Sequence, residues 1–277
     1  MQTNKVKKVT RFIENGGMLF GFGFFAIFLL APAFYVFKGS FESLSVSLVS
    51  SEGGWTLRNY YKIFSNGYLI YVINSMVVCV TATFLACSMS LFAAYGLSRF
   101  RFRGRGLVFG SIMGGQFFPW IILVNPIFIL FARGGLINSQ IGLILCYTAF
   151  IMPFTVYLLV GYLTTIPKSL DEAALVDGAS RFIIVTRIIL PIMSPGMVAA
   201  ATFGFLQCWS EYLLALALIT ENDLKTIPLG LYQYFGDVQV DWGAVMAGSV
   251  VATVPTLMLF LPLQRKLVSG LTTGATK

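Results

Sequence analysis

Glu211 is the residue whose position most invites a chemical reading, because it is the one carboxylate inside an apolar stretch long enough to cross a membrane, in Gln207-Cys208-Trp209-Ser210-Glu211-Tyr212. A charged side chain at membrane depth is costly and normally faces a bundle interior or a wet cavity. Two readings follow. Gln207, Trp209 and Glu211 line a passage for a polar solute, or Glu211 is a hydrogen-bonding group that holds two helices or two subunits together. Gln116, Asn125, Tyr147 and Tyr157 are further polar or aromatic groups within apolar stretches. A polar passage with aromatic walls suits a sugar, whose hydroxyls want hydrogen bonds and whose apolar faces stack on rings. Core packing explains Tyr147 and Tyr157 equally well.

Other chemistries find little support. The 277 residues include no histidine, and the sequence has neither a nucleophile elbow nor a carboxylate pair placed for acid–base work, so it does not read as an enzyme. Cys79, Cys87, Cys146 and Cys208 lie in apolar stretches without CxxC spacing and read as packing residues, with no metal expected. No GxxxxGK[ST] loop occurs, and Gly270-Leu271-Thr272-Thr273-Gly274 lacks the lysine. If ATP drives this protein, another chain binds it.

The elements that hold these residues are membrane helices. The chain is 57% hydrophobic and only 11% charged, too apolar for an ordinary soluble domain. Its mean hydropathy is +0.82. Six stretches approach or exceed the ~20 residues a spanning helix needs: about 17–37, 70–96, 107–131, 141–163, 196–219 and 244–264. They make residues 1–277 one transmembrane domain. Placing both termini in the cytoplasm puts fourteen Lys and Arg inside and five outside, so the basic excess needs no nucleic acid. Ala31-Pro32-Ala33 imitates a cleavage site after a basic start, but the apolar run continues through Phe37, which favours a retained first span. Thr56 is expected to cap an amphipathic helix through Phe64, lying along the outer interface or touching a soluble partner. Arg99, Arg101, Arg103 and Arg105 are spaced to stop translocation and to meet anionic headgroups. Pro119, Pro126, Pro153, Pro255 and Pro262 predict kinks. Gly110, Gly114 and Gly115 predict close helix approach.

Between the fourth and fifth stretches lies a polar island at residues 164–195. Ser169 and Glu172 have the spacing of a capping box, Asp177-Gly178 reads as a helix stop, and Ser180 as the cap of a second helix. In that second helix Phe182, Val185, Ile188 and Ile189 share a face, and Pro191 is expected to interrupt the run. The island forms an elbow at the membrane surface.

Its sequence resembles the EAA loop of bacterial ABC importer permeases: Glu172-Ala173-Ala174, three residues, Gly178, nine residues, Ile188, one residue, Leu190-Pro191. Asn74-Ser75, Ala93-Ala94-Tyr95 with Arg99-Phe100, Trp209-Ser210-Glu211-Tyr212-Leu213-Leu214-Ala215 and the ending from Gln264 to Lys277 are similar to the carbohydrate-uptake group, in its shorter six-helix subunit. Ser210 departs from that group, which has asparagine after the tryptophan. The resemblance implies an all-α, type I importer permease fold in the bacterial inner membrane, with the translocation pathway formed as a heterodimer with a second permease. Two ATP-binding subunits and an extracytoplasmic solute-binding protein are the implied partners, with ATP and Mg on the former and no cofactor on this chain. It also implies that Glu172, Ala173, Ala174, Asp177, Gly178, Leu190 and Pro191 couple to the ATPase, and that the tail around Gly270 and Gly274 is a second ATPase contact. The implied cargo is a carbohydrate, an oligosaccharide by this reading. A non-sugar or phosphorylated solute such as glycerol phosphate is the nearer alternative, although no Lys or Arg sits at mid-depth to meet a phosphate. A channel or secondary carrier is the alternative of another class, and the lack of internal repeats weakens an inverted-repeat secondary carrier.

Overall fold

A computed structural model describes the backbone of residues 2–44, 51–236 and 239–275, and the side chains of 18–19, 21–42, 54–236 and 239–264. Among the described residues the regular structure is helical apart from one short antiparallel ribbon, and the chain divides into two units.

The smaller unit comprises residues 1–66 and 234–251. Helix α1 spans Gln2–Ser40 and runs unbroken through Pro32. Strands β1 (Glu42–Leu44) and β2 (Ser51–Trp55) follow, then α2 (Arg58–Ser65). Asn59 on α2 donates to the carbonyls of Ser40 and Glu42, 2.9 Å each, and so ties the ribbon to the helix. Thr56 does not cap α2 as expected. Leu57 occupies the cap position, and the Thr56 hydroxyl accepts from the Arg58 N–H two residues on, at 3.1 Å. Lys62 pairs with Asp241 in the same unit. The last helix, α13, spans Trp242–Ala275.

The larger unit comprises residues 67–233 and 252–277, and its core is α3 (Tyr68–Arg99), α6 (Gln140–Leu163) and α10 (Ser194–Trp209). Ala82, Ala86, Ser90 and Ala94, spaced four apart on α3, are all fully buried. Residues at that spacing share one helix face, and small ones let a neighbouring backbone come close. The glycines singled out from the sequence do something else. Gly110, Gly114 and Gly115 face open space within this chain, whereas a Cβ at Gly196 would sit 2.7 Å from the Tyr162 ring. Close approach is made where α10 meets α6.

Among the described residues four helical segments are long and apolar enough to span a membrane: Gly21–Ser40, Tyr68–Arg99, Gln140–Leu163 and Trp242–Gln264. Two bent pairs bring the number to six if each crosses as one. The first pair is the expected third stretch: α4 (Arg105–Gly114) with the tight turn Gly115–Phe117, bent by 101° against α5 (Trp120–Arg133). Pro119 sits at that break, where its ring disfavours helical backbone at Phe118, which is extended. Pro126, Pro153, Pro255 and Pro262 instead lie inside continuous helices. The expected fifth stretch ends early: α10 stops at Trp209, and α11 (Leu213–Leu218) follows a break that contains Glu211.

Asn74 and Ser75, near the start of α3, hold the segment that leads into α12 (Ile227–Tyr232). The Asn74 amide donates to the carbonyls of Asp223 at 2.7 Å and Lys225 at 3.0 Å and accepts from Gln140, while Ser75 Oγ accepts from the Ile227 N–H. Truncating a buried amide strands its partners. Asn74→Ala is therefore expected to lower stability by about 2 kcal/mol. Thermal unfolding followed by a thiol-reactive dye measures this, because Cys79, Cys87, Cys146 and Cys208 are all free and buried.

Candidate functional site

The polar island folds as an elbow of two helical arms. Helix α7 spans Ser169–Val176 and starts one residue earlier than a Ser169 cap requires. The carbonyls of Pro167 and Lys168 already accept from Leu170 and Glu172, so Ser169 is the first helical residue and no side chain caps the helix. The capping box does not form, and Glu172 is exposed.

The end of α7 matches the expectation. Gly178 has φ of +81°, the Gly178 N–H bonds the Leu175 carbonyl at 3.1 Å, and the Ala179 N–H bonds the Ala174 carbonyl at 2.9 Å. This pair of bonds is the Schellman motif, which closes a helix through a left-handed residue that glycine adopts without steric cost. Ser180 then caps the second arm, its hydroxyl accepting from the Ile183 N–H at 3.4 Å.

That arm is irregular. It begins as α8 (Arg181–Ile183), widens into a π-helical stretch at Ile184–Ile189, and tightens again as α9 (Leu190–Ile192). Pro191 supplies a reason: it has no N–H for the Arg187 carbonyl, and its ring would clash there in a regular helix. The widened turn redistributes the faces. Ile184, Val185 and Ile189 are buried, while Phe182, expected on the same side, is 65% exposed and stacks on Phe92. The run is not interrupted at Pro191. The bend of 83° falls after Ile192, at Met193.

Two kinds of contact fix the elbow to the core. Ala174, Ile184, Val185, Ile189 and Met193 pack with Leu91, Ala94, Tyr95, Leu159, Leu163 and Ile166. Beside them, Arg99 at the end of α3 meets Asp171 on α7, Nε to carboxylate oxygen 3.0 Å, with both side chains 5% exposed. Arg99 also donates to the Ile166 carbonyl at 3.1 Å. What the elbow turns outward is the opposite edge: Glu172, Ala173, Asp177 and Gly178 are exposed, and Val176 is 88% exposed. Of the expected coupling residues, then, Ala174 faces in, Leu190 is half-buried and Pro191 is exposed. Asp171, which precedes the motif, was missed as a site residue. Its signal was a second carboxylate adjoining Glu172, with Arg99 at the end of another apolar stretch as a candidate partner.

The second candidate group separates. Glu211 accepts from the Leu214 N–H at 2.9 and 3.1 Å and from the Ala215 N–H at 3.2 Å, capping α11. Tyr147, fully buried on α6, donates to Glu211 at 2.9 Å. Of the two readings, this geometry is that of a hydrogen-bonding group joining helices. Trp209 is buried and its Nε1 donates to the Ala252 carbonyl on α13 at 3.2 Å. Gln207 is half-buried, and Ser210 is exposed with its hydroxyl donating back to the Leu206 carbonyl. Gln116 and Asn125 are exposed on the α4–α5 pair, which buries no residue within this chain. Among the described residues no hydrogen bond joins them to Glu211. Gly270 and Gly274 belong to α13, in its portion whose side chains lie outside the described residues.

This is the helical architecture of an importer permease, and relatives agree. Residues 86–271 match the family described as binding-protein-dependent transport system inner membrane component, and the chain belongs to that family as a multi-pass membrane subunit. It is 35% identical to a diacetylchitobiose uptake system permease protein of Streptomyces coelicolor, covering 90% of this chain and 92% of that one. It is 36% identical to a trehalose/maltose transport system permease protein of Thermococcus litoralis, covering 91% and 93%. Its fold is similar to the crystal structure of a bacterial ABC transporter involved in the import of the acidic polysaccharide alginate, with a TM-score of 0.76 over 91% of this chain and 95% of that one, at 20% identity.

The Arg99–Asp171 pair makes a testable unit. Removing one partner of a buried ion pair leaves an uncompensated charge, whereas replacing both with apolar groups avoids it. Arg99→Leu and Asp171→Leu are each expected to destabilise by about 3–5 kcal/mol, and the double variant by less than either. Dye-monitored unfolding of the three variants checks the sign of the coupling.

Proposed function

We propose that this chain is a permease subunit of a sugar importer, that it forms the pathway with a second permease, and that the outward edge of the elbow seats on a cytoplasmic ATPase. The carrying observation is the division of the elbow into a face locked to the core and a face left uncovered. A helix that exposes Val176 beside Ala173, Asp177 and Gly178 offers a small apolar contact with polar flanks. Because Asp171 and Ala174 are held from behind, a push on that edge moves α3 and the π-helical arm with it. ATP and Mg belong to the partner subunits in this reading, and a solute-binding protein delivers cargo to the opposite side. ATP and loaded binding protein both favour the outward-facing state.

The cargo assignment rests on the relatives named above, whose names give diacetylchitobiose and trehalose or maltose. Gln116 and Asn125 support a wet pathway. Amide groups exposed by this chain at membrane depth require water or another protein over them, since lipid offers no hydrogen bonds. Gln207 is the third candidate for solute contact. Glu211, Tyr147 and Trp209 already spend their polar atoms within the chain.

Gly178→Pro forces φ from +81° to near −65° and removes the N–H that closes α7. The variant is expected to insert normally and keep its ATPase bound while sugar uptake collapses relative to ATP hydrolysed. Gly178→Ala, which costs about 1–2 kcal/mol in the left-handed region, is expected to fall between. Uptake of labelled disaccharide in vesicles, measured beside ATPase turnover, reads both quantities, and wild-type coupling in the proline variant would refute the role of the elbow.

A further inference from the structure

Next to the elbow, but not on its outward edge, lies an open cleft of about 370 Å³ whose lining includes Ser98, Arg99, Arg105, Thr164, Thr165 and Lys168. Three cations converge there from different elements: the end of α3, the start of α4 and the residue before α7. No carboxylate lines it. Arg99 is partly spent on Asp171 and Ile166, but Arg105 and Lys168 have no ion-pair partner among the described residues. Arg105 is also the first residue of α4, a ten-residue helix with no acidic residue in its first turn and no side-chain cap. A cation at the positive end of a helix dipole is unfavourable, so an anion in the cleft would relieve two positive fields together.

We propose that this cleft binds the phosphate headgroup of an anionic phospholipid of the cytoplasmic leaflet. The surroundings select a lipid over a soluble anion. Phe100 and Phe102 alternate with Arg101 and Arg103 and are 44% and 46% exposed, and Leu107 on α4 is 76% exposed. Rings and aliphatic groups beside clustered cations suit the boundary where headgroups meet acyl chains. The surface presented by the elbow toward other subunits is a separate set of residues, so lipid and ATPase do not compete for the same side chains.

The test uses the whole transporter, purified and equilibrated with equal amounts of phosphatidylglycerol and phosphatidylcholine, with retained lipid counted by native mass spectrometry. Wild type is expected to keep phosphatidylglycerol preferentially, and the double variant R105Q/K168Q to retain it roughly tenfold less. R133Q/K225Q removes the same charge outside both the cleft and the Arg99–Arg105 cluster and is expected to retain it as wild type does. Equal retention of the two lipids by wild type, undiminished retention in R105Q/K168Q, or the same loss in R133Q/K225Q would each overturn the site. Displacement by millimolar inorganic phosphate would assign the cleft to a soluble anion instead. Loss of the ATPase from R105Q/K168Q with lipid retention intact would assign it to that interface, and either result overturns the lipid.

Discussion

An ion pair with both partners 5% exposed is an expensive thing to build, and the contact between Arg99 and Asp171 constrains everything around it. Desolvating two charges returns little net stability, yet neither charge can leave alone without stranding the other. Such a pair therefore works as a register pin. It fixes the end of α3 against the first turn of α7, and the Ile166 carbonyl, bonded by the same guanidinium, fixes the chain between α6 and α7. Once that turn is set, Ala174 must face inward and Val176 outward, because they lie two residues apart on one helix. The left-handed Gly178 then aims the second arm, and the widened turn before Pro191 rotates Ile184, Val185 and Ile189 onto the same core. The orientation of the elbow is thus set by the ion pair, the left-handed turn and the shared apolar core acting together.

The same economy governs Glu211. A carboxylate in an apolar segment survives by collecting donors, and here it takes two backbone N–H groups and the Tyr147 hydroxyl. Those N–H groups are free because α10 ends at Trp209 and α11 starts afresh at Leu213. The acid and the helix break thus support each other. The first turn of a helix lacks partners for its N–H groups, and an anion placed there meets both the hydrogen-bonding and the dipole requirement.

Much of this was legible in the residues, and the failures have physical causes. The stop at Asp177-Gly178 and the cap at Ser180 were readable because each depends on neighbours within a few positions. The capping box at Ser169 and Glu172 had the right letters, but the turn through Pro167 started the helix too soon for Ser169 to serve as cap. Periodicity placed Phe182 with Val185 because it assumes 3.6 residues per turn, and a π-helical stretch breaks that assumption. Hydropathy found the apolar stretches and proline chemistry marked the bend at Pro119, but nothing in the composition marked the break at Glu211. Asp171 lay in plain view beside Glu172. Its partner Arg99 is 72 positions away in sequence, and long-range pairing is what a single sequence conceals.

What a chain leaves uncovered in a membrane is as informative as what it buries. The α4–α5 pair buries no residue of its own, so its apolar side chains are compatible with lipid but its amides are not. Gln116 and Asn125 sit on that pair, exposed, whereas other polar groups of the apolar segments find partners within the chain: Asn74 two carbonyls, Glu211 two amides and a phenol, Trp209 a carbonyl. Exposed amides in an apolar segment call for a second surface, water or another protein chain, because lipid cannot answer them. Membership in a family of transport-system membrane components accommodates either.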